Sequence, residues 1–114
     1  MRKTGSIVLN RDFKRIYGRG KSLANKYCVV YAMRNRAGNS CLGITVSKKL
    51  GNAVKRNRAR RLLRESYRLL ESKIKLGYDI VIVARFMSVG ANQQRVQKAL
   101  CDLLTALNLI SAEQ

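Results

Sequence analysis

The chain has 114 residues, 46% of them apolar, and carries 24 Lys and Arg against 6 Asp and Glu, a formal net charge of +18. That is room for one domain with a modest core, too apolar for a disordered basic tail and charged enough to require a polyanionic partner. The absence of His removes His-based catalysis, and three widely spaced cysteines (Cys28, Cys41, Cys101) give no zinc spacing.

The first element is Asn10-Arg-Asp-Phe-Lys-Arg-Ile-Tyr-Gly18. Asn10 is an N-cap candidate, because its side-chain oxygen can accept a first-turn N–H. Phe13, Ile16 and Tyr17 fall at i, i+3 and i+4, so a helix is expected over 10–18, ended by Gly18 and Gly20. Ser22-Leu-Ala24 suggests a short edge strand. Tyr27-Cys-Val-Val-Tyr-Ala-Met33 is rich in β-branched and aromatic residues and reads as a strand, with Tyr27, Val29, Tyr31 and Met33 on one face. Asn35-Arg-Ala-Gly-Asn39 is turn chemistry. The strand Cys41–Val46 follows, with Leu42, Ile44 and Val46 opposite Cys41, Gly43 and Thr45. These two strands are expected to form an antiparallel hairpin.

Asn52 then caps a long helix expected to reach about Lys75, with Gly77 as its terminating glycine. Ala59, Leu62, Leu63, Leu69, Leu70 and Ile74 lie within roughly 140° of arc at 100° per residue. Arg58, Arg60, Arg61, Arg64 and Arg68 take the opposite arc. Tyr78-Asp-Ile-Val-Ile-Val-Ala84 is a continuous apolar run, hence a strand buried on both faces. A last helix over about 92–109 sets Val96, Leu100, Leu103, Leu104 and Leu107 in one stripe. The order is roughly αβββαβα, an α+β fold built as a two-layer α/β sandwich, with residues 1–114 expected to form a single domain.

The charge is uneven. Residues 1–36 hold ten basic residues and one acid, residues 48–68 hold nine and one, and residues 86–114 balance to zero. A binding face made by the first half and the middle is therefore expected, with the C-terminal helix as scaffold. In Ser47-Lys-Lys-Leu-Gly-Asn-Ala-Val-Lys-Arg-Asn-Arg-Ala-Arg-Arg-Leu-Leu-Arg64, the arginines form a comb of planar forks suited to bidentate phosphate binding and base stacking. The helix N-terminus at Asn52 adds free N–H groups, with Lys48 and Lys49 just before it. Phe13, Tyr17 and Tyr31 are interleaved with cations that include Arg11 and Lys14, as in single-strand binders where bases stack on rings. By the residues alone, Phe13 and Tyr17 fit equally well as the core side of a short helix. Gly18-x-Gly20 is too short to be read as a phosphate loop.

Lys48-Lys-Leu-Gly-Asn-Ala-Val-Lys-Arg-Asn-Arg-Ala-Arg-Arg-Leu-Leu-Arg64, with its Arg-Asn-Arg core at 56–58, closely resembles the signature of the bacterial ribonuclease P protein subunit. Asp12–Gly18, Gly20–Asn25, the strand containing Tyr31 and Asp79–Arg85 are similar to that family too, so the resemblance covers nearly the whole chain. It implies a protein that binds a large catalytic RNA and helps it remove the 5′ leader of precursor tRNA, with the active site and its Mg²⁺ in the RNA. It assigns Lys48, Lys49, Asn52, Lys55, Arg56, Asn57, Arg58, Arg60, Arg61, Arg64 and Arg68 to the catalytic RNA. It assigns Phe13, Tyr17 and Tyr31, with Arg11 and Lys14, to the leader. It also implies a left-handed strand–helix–strand crossover, against the general right-handed rule.

The expected particle is one protein with one RNA, cytoplasmic and away from membranes, since no apolar h-region follows Met1-Arg2-Lys3 and no window approaches the ~20 apolar residues of a span. No protein residue is expected to be catalytic, and no protein-held metal is expected. A ribosomal or RNA-chaperone-type binding protein has similar size and charge. A protein-only nuclease would have to use Asp12, Glu65 and Asp79, the only central acids, and a basic membrane-surface helix would leave the strands uncovered.

Overall fold

The centre of the molecule is the apolar run Tyr78–Ala84. It has hydrogen-bonding neighbours on both sides, and its residues 79–82 are all buried. The structure, a computed structural model, describes residues 4–6, 10–35 and 40–110. Its strands are β1 (Thr4–Ser6), β2 (Lys21–Ala24), β3 (Cys28–Arg34), β4 (Ser40–Thr45) and β5 (Tyr78–Ala84), and its helices are α1 (Asn10–Arg19), α2 (Ala53–Leu70) and α3 (Gln93–Ala106). The five strands form one sheet in the order β1-β4-β5-β3-β2. β5 is antiparallel to β3 and parallel to β4, with Tyr31 opposite Val81 and Gly43 opposite Val81 on the other side. β1 is parallel to β4, and β2 is the other edge, antiparallel to β3.

The expected hairpin of 27–33 with 41–46 is therefore not formed: β5 lies between β3 and β4. The reason is burial. A strand apolar on both faces gains most at the centre of a sheet, where it has two neighbours and both faces covered. β3 and β4 each alternate and can flank it. The strand before α1 was not expected either, because three residues are too few to show a period. Of the 35–39 turn, residues 36–39 lie outside the described residues.

The alternation of the strands sorts the two faces. Val30, Ala32, Ile80, Ile82 and the half-buried Leu42 and Ile44 join Leu63, Tyr67, Leu100 and Leu104 of α2 and α3 in one core. Each fully buried Leu or Ile contributes about 1.5–3 kcal/mol by leaving water, so this layer carries most of the stability. On the other face stand Tyr31, Asp79 and Val81, the odd positions. There α1 packs on β3 and β5. The sheet with α2 and α3 makes the two expected layers, and α1 adds a partial cover on the far side.

α2 is shorter than its leucine pattern suggests. It ends at Leu70, followed by a 3-10 turn Glu71–Lys73, and Ile74 is extended and bridges to Ile110. Its buried residues are Ala59, Leu63, Ser66, Tyr67 and Leu70, while Leu69 is 58% exposed. At 100° per residue the buried arc is rotated by about 40° from the one the leucines define, because Tyr67 and Ser66 take the places expected of Leu69 and Leu62. Gly77, seven residues beyond the helix, instead accepts from the Asn35 N–H at 2.8 Å at the entry to β5.

The other helix ends are chemically explicit. Asn92 caps α3 by accepting from the Arg95 N–H at 2.9 Å. Asn108, with φ 66°, ends it: the Leu109 N–H reaches Leu104 O at 2.8 Å and the Asn108 N–H reaches Thr105 O at 3.0 Å. This is a Schellman closure, so α3 stops at Ala106 and not at 109. α1 runs through Gly18 to Arg19, and it is Gly20 that turns the chain, donating to Ile16 O at 2.8 Å. A Cβ on Gly20 would stand 2.6 Å from Ile16 O and 2.8 Å from Ala32 O, so only glycine lets the backbone pass so close to β3. The Asn10 side-chain cap lies outside the described side chains.

Candidate nucleic-acid interface

Two surfaces, on opposite faces of the sheet, gather the residues singled out in the sequence. The first is the outward side of α2. It begins where β4 ends: Ser47 Oγ accepts from the Lys49 N–H at 3.2 Å, a short 3-10 turn carries Lys48 and Lys49, and Gly51 breaks it with φ 143°. Asn52 Oδ1 then accepts from the Lys55 N–H at 2.9 Å and starts the helix. The side chains of Lys48, Lys49, Asn52, Lys55, Asn57, Arg58, Arg61, Arg64 and Arg68 are all exposed. Asn57, Arg61, Arg64 and Arg68 recur at i, i+4, i+7 and i+11, one ridge along the helix.

The rotation of the buried arc changes the rest of the comb. Arg56 and Arg60 sit at its rim and are half-buried. Arg60 Nη1 donates to Asn57 Oδ1 at 2.9 Å, which ties the two side chains together on the surface. Arg56 Nε is buried without a hydrogen-bond partner among the described residues. Glu65 lies four residues beyond Arg61, yet the ion pairs among the described residues are Arg15–Asp79 and Lys98–Asp102, neither of them on α2.

The second surface lies between α1 and the sheet. Phe13 and Tyr17 have ring centroids 6.3 Å apart, and Tyr17 meets Tyr31 edge-on at 4.7 Å and 68°. Such spacing is within the attractive range for aromatic pairs. Phe13 and Tyr31 are half-buried and Tyr17 is 40% exposed, so the three rings form a shelf fixed on its inner side and open on the outer. The structure thus brings together Phe13, Tyr17 and Tyr31, with exposed Lys14 alongside. Arg11 lies outside the described side chains. Tyr27, by contrast, lies before β3 and packs toward the α2/α3 core, so it does not share the Tyr31 face.

Beneath the shelf is an anchor that the sequence did not reveal. Asp79 is buried; its Oδ1 accepts from Asn35 Nδ2 at 2.8 Å and its Oδ2 is 3.6 Å from Arg15 Nη2. A second anchor is Asn25. Its Oδ1 accepts from the N–H groups of Tyr27 and Cys28, at 2.9 and 3.1 Å, and its Nδ2 donates to Ala99 O of α3 at 3.1 Å. The only sequence signals were an acid opening an apolar strand and an Asn in a turn, neither of which specifies a distant partner.

No group of three or more His, Cys, Asp or Glu gathers among the described residues. Both oxygens of Asp79 already have partners, so these residues do not fit a resident metal ion. No described helix is long and apolar enough to cross a membrane. Cys28, Cys41 and Cys101 form no disulfide, and burial raises the Cys28 thiol to about pKa 12.

A polycationic helix and an aromatic shelf on a small α+β scaffold define an RNA-binding protein. The family model described as Ribonuclease P matches residues 1–108. The ribonuclease P protein component of Clostridioides difficile is 46% identical over 103 residues, 90% of each chain. The structure of the Staphylococcus aureus RNase P protein superposes with a TM-score of 0.85 at 39% identity, covering 96% of this chain and 100% of that one. The Thermotoga maritima RNase P protein gives 0.80 at 36% identity, over 92% and 97%. The chain belongs to the ribonuclease P protein family.

Proposed function

We propose that this chain is the protein subunit of a ribonuclease P ribonucleoprotein, which removes the 5′ leader of precursor tRNA to give the mature 5′ end. It acts as one RNA-binding domain. The outward side of α2, from Lys48 to Arg68, binds the catalytic RNA. The shelf of Phe13, Tyr17 and Tyr31, with Arg11 and Lys14 at its margin, takes the single-stranded leader. The RNA supplies the metal-dependent bond cleavage, and Mg²⁺ belongs to it. The chain provides no general acid or base, and none of its residues is catalytic. The particle, one protein with one RNA, works in the cytoplasm.

One observation carries this reading: the cationic ridge of α2 and the aromatic shelf of α1 and β3 lie on opposite faces of one sheet. A protein so arranged can hold two RNA segments at once. Guanidinium forks bind phosphates of a folded RNA bidentately, whereas an open aromatic ring adds roughly 1–3 kcal/mol for each unstacked base laid on it. A ribosomal or chaperone-type binder explains the ridge but gives no reason for a separate shelf.

Photo-crosslinking tests the division. With the catalytic RNA bound, a precursor carrying photoreactive leader nucleotides should crosslink to Phe13, Tyr17 or Tyr31 and not to α2. Leader crosslinks on α2 would reverse the assignment.

A further inference from the structure

The end of the sheet where β5 stops and β3 begins carries a hollow of mixed polar and apolar lining that neither surface uses. Its volume is about 290 Å³, and its walls include Tyr27, Phe86, Met87, Val89, Asn92 and Arg95. Phe86 is 71% exposed and Met87 42%. These two are not displayed by a loose segment. The 3-10 turn Phe86–Ser88 is closed by the Val89 N–H on Phe86 O at 3.0 Å, and the fully buried Ser88 donates its Oγ–H to Arg85 O at 2.7 Å. Arg85 is fixed in turn, its N–H donating to Tyr27 O at 2.9 Å and its Nη1 to Asn25 O at 3.1 Å. A large ring is thus held out to solvent by a rigid turn.

The rim is cationic. Lys26 Nζ stands 5.8 Å over the Tyr27 ring, and Arg85 and Arg95 are both exposed. No acid is among the hollow's lining residues. The hollow lies at the end of the sheet from which the chain also leaves for α2. Thr45 of β4 is in register with Val83 of β5, and past this pair β4 leads to Lys48 and Lys49 while β5 leads to Arg85 and Phe86. It faces away from the α1 shelf, because Tyr27 and α3 belong to the other layer. The size falls just below the ~300 Å³ at which pockets for drug-sized ligands begin, so it suits one planar ring and not a whole cofactor.

We infer that this hollow receives an unpaired base of the catalytic RNA, stacked on Phe86, with Lys26, Arg85 and Arg95 on its flanking phosphates. The inference rests on the RNA-binding reading of α2 and extends that surface to a second, base-stacking contact. The cationic rim selects a polyanion, the exposed Phe86 ring beside it selects a stacked base and so RNA over an acidic protein, and the position, away from the α1 shelf and at the end where the chain leaves for α2, selects the catalytic RNA over the leader.

The full chain contains no Trp, so Phe86→Trp introduces a single reporter. Its fluorescence should be quenched when the catalytic RNA is added, and a polyglutamate peptide should leave it unchanged. Phe86→Ala, at an exposed position, should keep the circular dichroism of the parent and lower affinity for that RNA about 5- to 100-fold, the size of one base–aromatic stack. Its precursor-to-mature tRNA ratio in the assembled particle should not move. Unchanged RNA affinity in Phe86→Ala, beside a clear loss in Arg61→Ala, would overturn the hollow while leaving the α2 reading intact. A shifted precursor-to-mature ratio would move the contact to the substrate and overturn it as stated. Equal quenching by polyglutamate would do the same in favour of an acidic protein. If the parent protein does not bind the RNA, the α2 reading itself fails.

Discussion

Arg15 of α1 and Asp79 of β5 are joined beneath the aromatic shelf, guanidinium Nη2 to carboxylate Oδ2 at 3.6 Å. The Arg15 side chain is half in solvent, so the pair itself is worth little. The larger effect is on Asp79, which is buried and also holds Asn35. Asp79→Ala removes the 2.8 Å bond from Asn35 and the contact with Arg15 together and should destabilise the fold by about 1–3 kcal/mol, seen as a lower urea midpoint. Single-turnover cleavage by the assembled particle at saturating protein should stay within a few-fold of the parent. A loss of many orders of magnitude would make Asp79 a catalytic acid or base.

The two glycines near the end of α1 should respond in opposite directions. A Cβ at Gly20 meets the backbone oxygens of Ile16 and Ala32, whereas one at Gly18 meets nothing within 4 Å. Gly20→Ala should cost about 1–3 kcal/mol through forced backbone shifts. Gly18→Ala should be neutral or gain up to about 1 kcal/mol, since Gly is the poorer helix former. Thermal melts of the free protein decide both. Equal destabilisation would mean that α1 does not run through Gly18.

Removing a ring from the shelf should act on the leader alone. Phe13→Ala should lower the precursor-to-mature affinity ratio by about 5- to 100-fold, at roughly 1–3 kcal/mol per stacked base. Equal losses for both substrates would refute the leader assignment.

Changes on α2 should be read through salt. If six to ten phosphates are neutralised, affinity for the catalytic RNA should fall roughly 10³- to 10⁵-fold between about 50 and 200 mM salt. Arg61→Ala should reduce the slope of log affinity against log salt by about one. An unchanged slope would place Arg61 outside the interface.

Cys28 gives a pH signature. Burial raises its thiol from 9.0 to about 12. The unfolded chain therefore loses this proton first, and the folded state keeps it. Its contribution is whole below pH 9 and is lost as pH rises toward 12, by about 1.4 kcal/mol per unit inside that window. The difference in unfolding free energy between the parent and Cys28→Ala should shrink from pH 8 to pH 10.5. A constant difference would show that the thiol is not buried as described.

How much of this was legible in the sequence follows the range of the interactions. Local chemistry was readable: Asn52 as a cap, the alternation of β4, the buried run of β5 and the arginine ridge of α2. Pairing was not. Nothing within 27–46 indicates that a strand thirty residues further on inserts between two apparent hairpin partners. The rotation of α2 was hidden for a related reason, since a Leu count gives no weight to Tyr67 or to a buried Ser66. The aromatic shelf was only half legible: the rings could be listed, but their edge-on meeting at Tyr31 depends on α1 lying across the far face of the sheet. Asp79 and Asn25 were not recognised as anchors, because each acts through a partner more than forty residues away.

The decisive measurement is precursor-tRNA cleavage at low Mg²⁺ with the cognate RNA alone, this protein alone and the two together. The protein alone should cleave nothing, the RNA alone should be slow, and together they should restore rapid release of the leader at the mature 5′ end. Cleavage by the protein free of RNA, or no acceleration when it is added to the RNA, would contradict the assignment of chemistry to the RNA and of positioning to this chain.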